Sequence, residues 1–154
     1  MKKLKTKFKK LIGAVTITGL VLTGFAATNA QAKANTSDSS FNLKFNGNST
    51  AYTPARTKYN STSAYINVKI ISDGDPYYKV SLVKSNGKNF SKTWTYTFGT
   101  YDAENPKLAK HYIKNYAMED SKGSPISVKI KAKGYRGAAS YNWHSRGVWS
   151  PDSI

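Results

Sequence analysis

The stretch Ala64–Ile71, Ala-Tyr-Ile-Asn-Val-Lys-Ile-Ile, decides the fold class of this chain. Its apolar side chains are Ala64, Ile66, Val68 and Ile70, and they alternate with Tyr65, Asn67 and Lys69. Successive side chains of a β-strand point to opposite sides. The two-residue period therefore predicts a strand with one face in a core and one face in water.

The same period recurs along the chain, in residues 41–45, 77–83, 93–98 and 126–133. Turn-forming residues separate these segments, at Asn46-Gly47-Asn48, Asp73-Gly74-Asp75-Pro76, Ser85-Asn86-Gly87 and Gly123-Ser124-Pro125. We expect 64–71, 77–83 and 93–98 to be consecutive antiparallel strands, with Trp94, Tyr96 and Phe98 facing the core. The pattern predicts an all-β fold, a small antiparallel β-sandwich of six to eight strands.

Two segments are harder to assign. Residues 107–118 carry apolar side chains at spacings that suit either a helix or a strand, and their Tyr and Ile content slightly favours a strand. Residues 134–145 are Gly-rich and are expected to be irregular, before a short final strand at 147–149.

The beginning of the chain has a different character. Six lysines lie within residues 1–10, an almost unbroken apolar run follows to Ala27, and Ala30-Gln31-Ala32 closes it. This arrangement is typical of a cleavable signal helix. We therefore predict a signal peptide at 1–32, a flexible tail at 33–40, a β-sandwich domain at 41–154, and a secreted protein of a Gram-positive bacterium.

The predicted secreted part is strongly basic. Residues 33–154 contain 18 lysines and arginines against eight acids, a net charge of +10. Such a charge favours polyanionic partners. We expect an anionic cell-wall polymer or an acidic lipid surface rather than nucleic acid, because the protein is exported. A protein partner is left open.

The basic and aromatic residues most suited to binding lie near the end of the chain. Lys129, Lys131 and Lys133 share one face of a predicted strand. The following loop adds Tyr135, Arg136, Tyr141, Trp143 and Arg146. Cations meet phosphates and aromatic rings stack on sugars, so this cluster is the candidate polyanion site. The competing interpretation is a solvated face that prevents edge-to-edge pairing of sheets.

The residues give little support to catalysis. The chain has no cysteine and only two histidines, and its acids occur in close pairs that turns explain equally well. We predict no enzyme, no cofactor and no metal, although Asp73-Gly74-Asp75 offers two oxygen ligands of the kind that calcium uses. A wall-acting hydrolase would require a buried essential acid, for which Glu119 is the candidate.

The last residues carry a resemblance. Residues 147–153 read Gly-Val-Trp-Ser-Pro-Asp-Ser. This ending resembles a family of short, secreted Gram-positive proteins of unknown function that share a terminal Trp-Ser-Pro-Asp-Ser sequence. The family implies export and one β domain, and supplies no catalytic residues. A weaker similarity is to bacteriocins of the lactococcin 972 type, although the aromatic ending of those toxins is absent here. A secreted antimicrobial protein is the second hypothesis, because cationic aromatic proteins can also disorder membranes.

The ending is also predicted to act as a structural clasp. Trp149 would bury its ring against the sheet, and Pro151 would stop the strand. Asp152 is expected to meet Arg146 or a turn amide.

Overall fold

A computed structural model describes residues 33–72, 75–136 and 141–154. The predicted signal peptide at 1–32 lies outside the described residues, as do Asp73 and Gly74 of the predicted turn. Among the described residues, no helix is both long enough and apolar enough to cross a bilayer.

The described residues form nine strands and two short helices. In chain order these are β1 (Ser39–Asn46), β2 (Thr50–Tyr52), β3 (Arg56–Lys58), β4 (Ala64–Ile71), β5 (Tyr77–Lys84), β6 (Tyr96–Gly99), α1 (Thr100–Glu104), β7 (Lys110–Ile113), α2 (Ala117–Asp120), β8 (Ile126–Tyr135) and β9 (Asn142–Ser150).

The strands form two sheets. Sheet A has the order β1-β9-β4-β7, and sheet B has the order β2-β8-β5-β6, with β3 also paired to β8. Every pairing is antiparallel. The predicted all-β sandwich is confirmed, and both sheets lie entirely within residues 33–154.

The core lies between the sheets and is supplied by the alternating residues. Phe41, Leu43 and Phe45 of β1 are buried, as the sequence predicts. The inward residues of sheet B are Tyr78, Val80, Leu82, Phe98, Val128, Ile130 and Ala132, and all are 0–1% exposed. Because alternate positions are buried, the intervening side chains must lie on the outer faces of the sandwich.

The predicted buried face of β4 is wrong at the end of the strand, where Ile70 was expected in the core. The pairing of β4 with β9 shifts between Val68 and Ile70. Such a bulge inserts an extra residue and reverses the side-chain alternation beyond it. Ile70 is consequently 49% exposed, and Ile71 is buried in its place.

The predicted hairpin between β4 and β5 is also wrong, because β4 belongs to sheet A and β5 to sheet B. Both edges of β4 are occupied, by β9 and β7, and both edges of β5 are occupied, by β6 and β8. The chain therefore passes from sheet A to sheet B between β4 and β5. The predicted hairpin of β5 with β6 is confirmed.

Strand β6 is shorter than predicted. It begins at Tyr96, and Thr93 forms only an isolated bridge with Asn115. Trp94 is 36% exposed and does not join the core, whereas Phe98 does. In the ambiguous segment 107–118, the preferred strand is present as β7, and residues 117–118 open α2.

The two ends of the described domain are more ordered than the sequence predicts. Strand β1 begins at Ser39, and Asn35 donates its backbone N–H to Asp152 at 2.7 Å. Residues 39 and 40 of the predicted flexible tail thus belong to β1, and Asn35 within that segment contacts Asp152. Strand β9 starts at Asn142 and occupies the interior of sheet A, so the final strand is much longer than 147–149.

Candidate functional site

Strand β8 places three of the predicted site residues on the outer face of sheet B. Val128, Ile130 and Ala132 point into the core. Lys129, Lys131 and Lys133 consequently point outward, and each is partly exposed. The predicted basic strand face is present in the structure.

Strand β5 adds a fourth lysine to this face. Lys79 lies directly opposite Lys133, and Ser81 lies opposite Lys131. Like charges directly opposite each other on a sheet are destabilising. We call the outer surface of Lys79, Lys129, Lys131 and Lys133 the lysine face.

No acid neutralises the lysine face among the described residues. The ion pairs found in the described part of the chain are Lys58 with Asp152 and Lys84 with Asp120. Neither pair includes a lysine of this face. The ammonium groups contact neutral groups instead. Lys133 donates a hydrogen bond to the Asn48 carbonyl, and Lys129 lies 4.2 Å from the centre of the Tyr52 ring.

Aromatic rings frame one end of the lysine face. The rings of Tyr77 and Tyr135 stack with centroids 5.0 Å apart and an interplanar angle of 7°. The Lys79 ammonium lies 5.4 Å from the centre of the Tyr135 ring. Cation–π contacts of this kind hold an ammonium in place without neutralising its charge.

A shallow groove of about 230 Å³ runs over this face. It is lined by Lys79, Ser81, Asn89, Thr93, Thr95, Lys131, Lys133 and Tyr135. The lining combines cations with neutral hydrogen-bonding groups and contains no carboxylate. Chemically, it suits the binding of an anion that also carries hydroxyl groups.

Arg136 and Tyr141 form a separate pair beyond the end of β8. The guanidinium carbon lies 4.0 Å from the centre of the Tyr141 ring, and the Arg136 backbone N–H donates to Asn48 Oδ1 at 2.6 Å. Arg136 also lines a hollow with Tyr77, Tyr135 and the carboxylate-bearing Asp75. The predicted loop residues thus extend the lysine face at one end, where one acid is also present.

Two predicted binding residues lie elsewhere. Trp143 is 3% exposed, stacks on Phe45 at 4.0 Å between centroids, and donates its Nε1–H to the Gly47 carbonyl. It is a core residue, because β9 extends back to Asn142 and turns this side chain inward. Arg146 is exposed on the outer face of sheet A, where it pairs with Asn42 and lines a hollow with Lys44 and His144. The predicted cluster is therefore divided between opposite sides of the sandwich.

The predicted clasp residues are buried together. Trp149, Pro151 and Asp152 are all buried, with Trp149 at 1% exposure. The Arg56 guanidinium carbon lies 5.6 Å from the centre of the Trp149 ring, and Nη1 donates to the Trp149 carbonyl at 3.0 Å. Burial lowers the pKa of Arg56, although Asp38 and Asp152 oppose that shift.

Asp152 pairs with Lys58 rather than with the predicted Arg146. The Lys58 ammonium lies 3.0 Å from Asp152 Oδ1, and both side chains are 0% exposed. The ammonium also donates to the Thr62 and Pro151 carbonyls. Asp152 also accepts hydrogen bonds from the backbone N–H groups of Asn35, Tyr59 and Asn60. Backbone amides are the second kind of partner that the sequence analysis expects for Asp152. Burial lowers the pKa of Lys58, and the hydrogen bond from Lys58 to Asp152 partly offsets this.

The groups considered for catalysis and metal binding are dispersed in the structure. Among residues 33–72, 75–136 and 141–154, no group of three or more His, Asp and Glu side chains is arranged to hold a metal ion. Asp75 accepts a hydrogen bond from Thr100 Oγ1 at 3.0 Å, and Glu119 is exposed. The buried acid that the hydrolase hypothesis requires is thus not Glu119.

Sequence reasoning missed Lys79 of the lysine face and two tyrosines beside that face. Lys79 and Tyr77 lie on β5 and Tyr52 lies on β2, far from β8 in the sequence. The alternation in 77–83 marks Lys79 as outward-facing, but only the sheet order shows that β5 lies beside β8.

Comparison with known proteins gives one match. The family model described as a protein of unknown function, DUF2712, matches residues 27–153. The chain belongs to this family. No curated protein and no solved structure matches this chain. The function of this DUF2712 member must therefore be argued from its own surface.

Proposed function

We propose that this DUF2712 protein is a secreted, non-enzymatic cationic domain that binds anionic polymers of a Gram-positive cell envelope. The lysine face is the binding surface, and Arg136 and Tyr141 extend it. The leader at 1–32 and the Trp-Ser-Pro-Asp-Ser ending at 149–153 support the secreted and Gram-positive parts of the proposal.

One observation carries the proposal: Lys79 lies opposite Lys133 in adjacent strands, with no ion pair to either residue among those described. This arrangement costs stability when the domain is empty. A bound anion between the two ammonium groups would convert the repulsion into two charge-assisted hydrogen bonds. The arrangement is therefore better suited to a bound state than to an isolated domain.

The test is co-sedimentation of residues 33–154 with Gram-positive cell walls, with and without their anionic polymers, over a salt series. We expect binding that requires the polymers and weakens as salt rises, because the contacts are electrostatic. Binding that persists after removal of the polymers, or no binding at low salt, would contradict the proposal.

A matched pair of variants locates the surface. Lys79→Gln with Lys131→Gln and Lys133→Gln removes three charges from the lysine face. Lys69→Gln with Lys107→Gln and Lys122→Gln removes three charges from exposed positions elsewhere. The first variant should lose binding and the second should retain it, although their net charges are equal.

The antimicrobial alternative, a bacteriocin-like protein, predicts a different result. Cationic domains with exposed aromatic residues also bind acidic lipid surfaces. Leakage from anionic vesicles or depolarisation of cells would favour that function over reversible polymer binding.

A further inference from the structure

We infer that the lysine face selects phosphodiester polymers whose successive phosphates are joined through a three-carbon unit, and that such a polymer lies along β8. This inference rests on the proposed function, because it names the class of anionic polymer that the same surface binds.

The first argument is the spacing of the cations along one strand. Lys129, Lys131 and Lys133 occupy every second position of β8, on one side of the sheet. Two residues of a strand span about 6.7 Å. The lysine side chains therefore leave β8 about every 6.7 Å, and a linear ligand along the strand can meet one lysine per interval when its charges repeat at a similar distance.

The second argument is a comparison of bonds. Two residues of extended backbone contain about six bonds between one lysine Cα and the next outward one. Two phosphorus atoms joined through a three-carbon diester are also separated by six single bonds: two to phosphorus, two between oxygen and carbon, and two between carbons. Phosphates joined through one oxygen are much closer together, and phosphates joined through a five-carbon polyol are further apart.

The third argument is the chemistry beside the cations. Ser81, Thr93, Thr95 and Asn89 line the same groove as Lys79, Lys131 and Lys133. Hydroxyl and amide groups can both donate to and accept from the hydroxyls of a polyol, whereas an inorganic polyphosphate offers them acceptors alone. The groove thus presents polar neutral groups alongside the row where the uncharged units of such a polymer would lie.

The fourth argument is that three of the four cations have contacts that hold them in place before binding. Lys133 donates to the Asn48 carbonyl, Lys129 lies over the Tyr52 ring, and Lys79 lies over the Tyr135 ring. An ammonium has three donors, so Lys133 retains others for a ligand. Ordered cations lose less side-chain entropy on binding and respond more strongly to the spacing of the ligand's charges.

The experiment compares synthetic oligomers with equal numbers of charges. The probes are glycerol phosphate, ribitol phosphate, inorganic polyphosphate and glutamate oligomers, and the readout is calorimetric binding to residues 33–154. We expect the glycerol phosphate oligomer to bind about tenfold more tightly than each of the others, the difference made by one or two additional charged hydrogen bonds.

Variants test the register. Lys131→Gln, in the middle of the row, should reduce glycerol phosphate binding about tenfold and so remove most of the selectivity. Lys131→Arg should restore much of it. Lys122→Gln, exposed outside the face, should leave binding and selectivity unchanged.

Each remaining outcome has a defined meaning. Equal binding of all four oligomers would overturn the spacing inference and leave the proposed function intact. Binding of none of them at low salt would overturn both. Binding to phosphatidylglycerol vesicles without binding to the free glycerol phosphate oligomer would overturn the inference that the ligand is a polymer. The ligand would then be a lipid headgroup with the same phosphodiester chemistry.

Discussion

Lys58 and Lys131 carry the same ammonium group in opposite surroundings. Lys58 is 0% exposed, and it donates to two carbonyls and to the Asp152 carboxylate. Lys131 is partly exposed and forms no ion pair among the described residues. The buried charge has a full set of partners and fixes the fold, whereas the surface charge remains available to a ligand.

The largest effect should come from removing the acid of the buried pair. Asp152→Ala would leave the Lys58 ammonium without its counter-charge and three backbone N–H groups without an acceptor. We expect the free energy of unfolding to fall by about 3–5 kcal/mol. Denaturant unfolding followed by tryptophan fluorescence measures this change.

A partly exposed pair near the surface is the control for that variant. Lys84 Nζ lies 3.5 Å from Asp120 Oδ2, and the Lys84 side chain is 36% exposed. Lys84→Met should change the free energy of unfolding by about 0–1 kcal/mol. A similar loss in both variants would remove the distinction between buried and surface charge.

A slightly smaller effect is expected from the aromatic part of the clasp. Trp149→Ala empties a site that is 1% exposed, and should cost about 3–4 kcal/mol of unfolding free energy. Trp94→Ala is the matched control, because its ring is 36% exposed. Thermal unfolding should show a clear loss for the first variant and little for the second. An unchanged midpoint for Trp149→Ala would contradict a structural role.

The sandwich around the buried Lys58 site and the lysine face also shows what sequence patterns can predict. The alternation in β1 and β8 identified their buried and exposed faces, because side-chain alternation is a local property of a strand. In β5 it identified the inward Tyr78, Val80 and Leu82, but not the burial of Ser81 and Val83. The bulge that exposes Ile70 and the position of Trp143 depend on pairing with a distant strand, and no local pattern reports them.

The candidate site was predictable to a similar extent. The three lysines of β8 follow from a local period, but Lys79 joins them only because β5 lies beside β8 in sheet B. The burial of Lys58 was not predicted at all. A lysine is normally exposed, and its partner Asp152 is 94 residues away in the sequence.

A smaller change in stability is expected when the repulsion within the lysine face is removed. Lys79→Thr removes the charge opposite Lys133, and should raise the free energy of unfolding by about 0.2–1 kcal/mol at low salt. The gain should shrink at high salt, because screening weakens the original repulsion. Lys69→Thr provides the exposed control. If Lys79→Thr lowered the free energy of unfolding by an amount that did not depend on salt, the opposed charges would carry no cost.

The smallest expected effect is on the pH dependence of stability in the acid range. Hydrogen bonds from Ser91, and secondarily the charge of Lys84, hold the pKa of Asp120 below its usual value of 3.8. A carboxyl whose pKa is lower in the folded state stabilises the fold above its unfolded pKa, and this contribution is lost as pH falls through the folded pKa. Unfolding free energies of Asp120→Asn should therefore depend less on pH in the acid range than those of the unmodified protein. Identical pH profiles would contradict the contribution of Asp120.

The interior position of β9 imposes an order on synthesis. Strand β9 contacts both β1 and β4, so sheet A lacks its middle until residues 142–150 have emerged. The Lys58 site is closed still later, by Asp152. Folding of the described domain therefore cannot be completed before residues 142–152 are available.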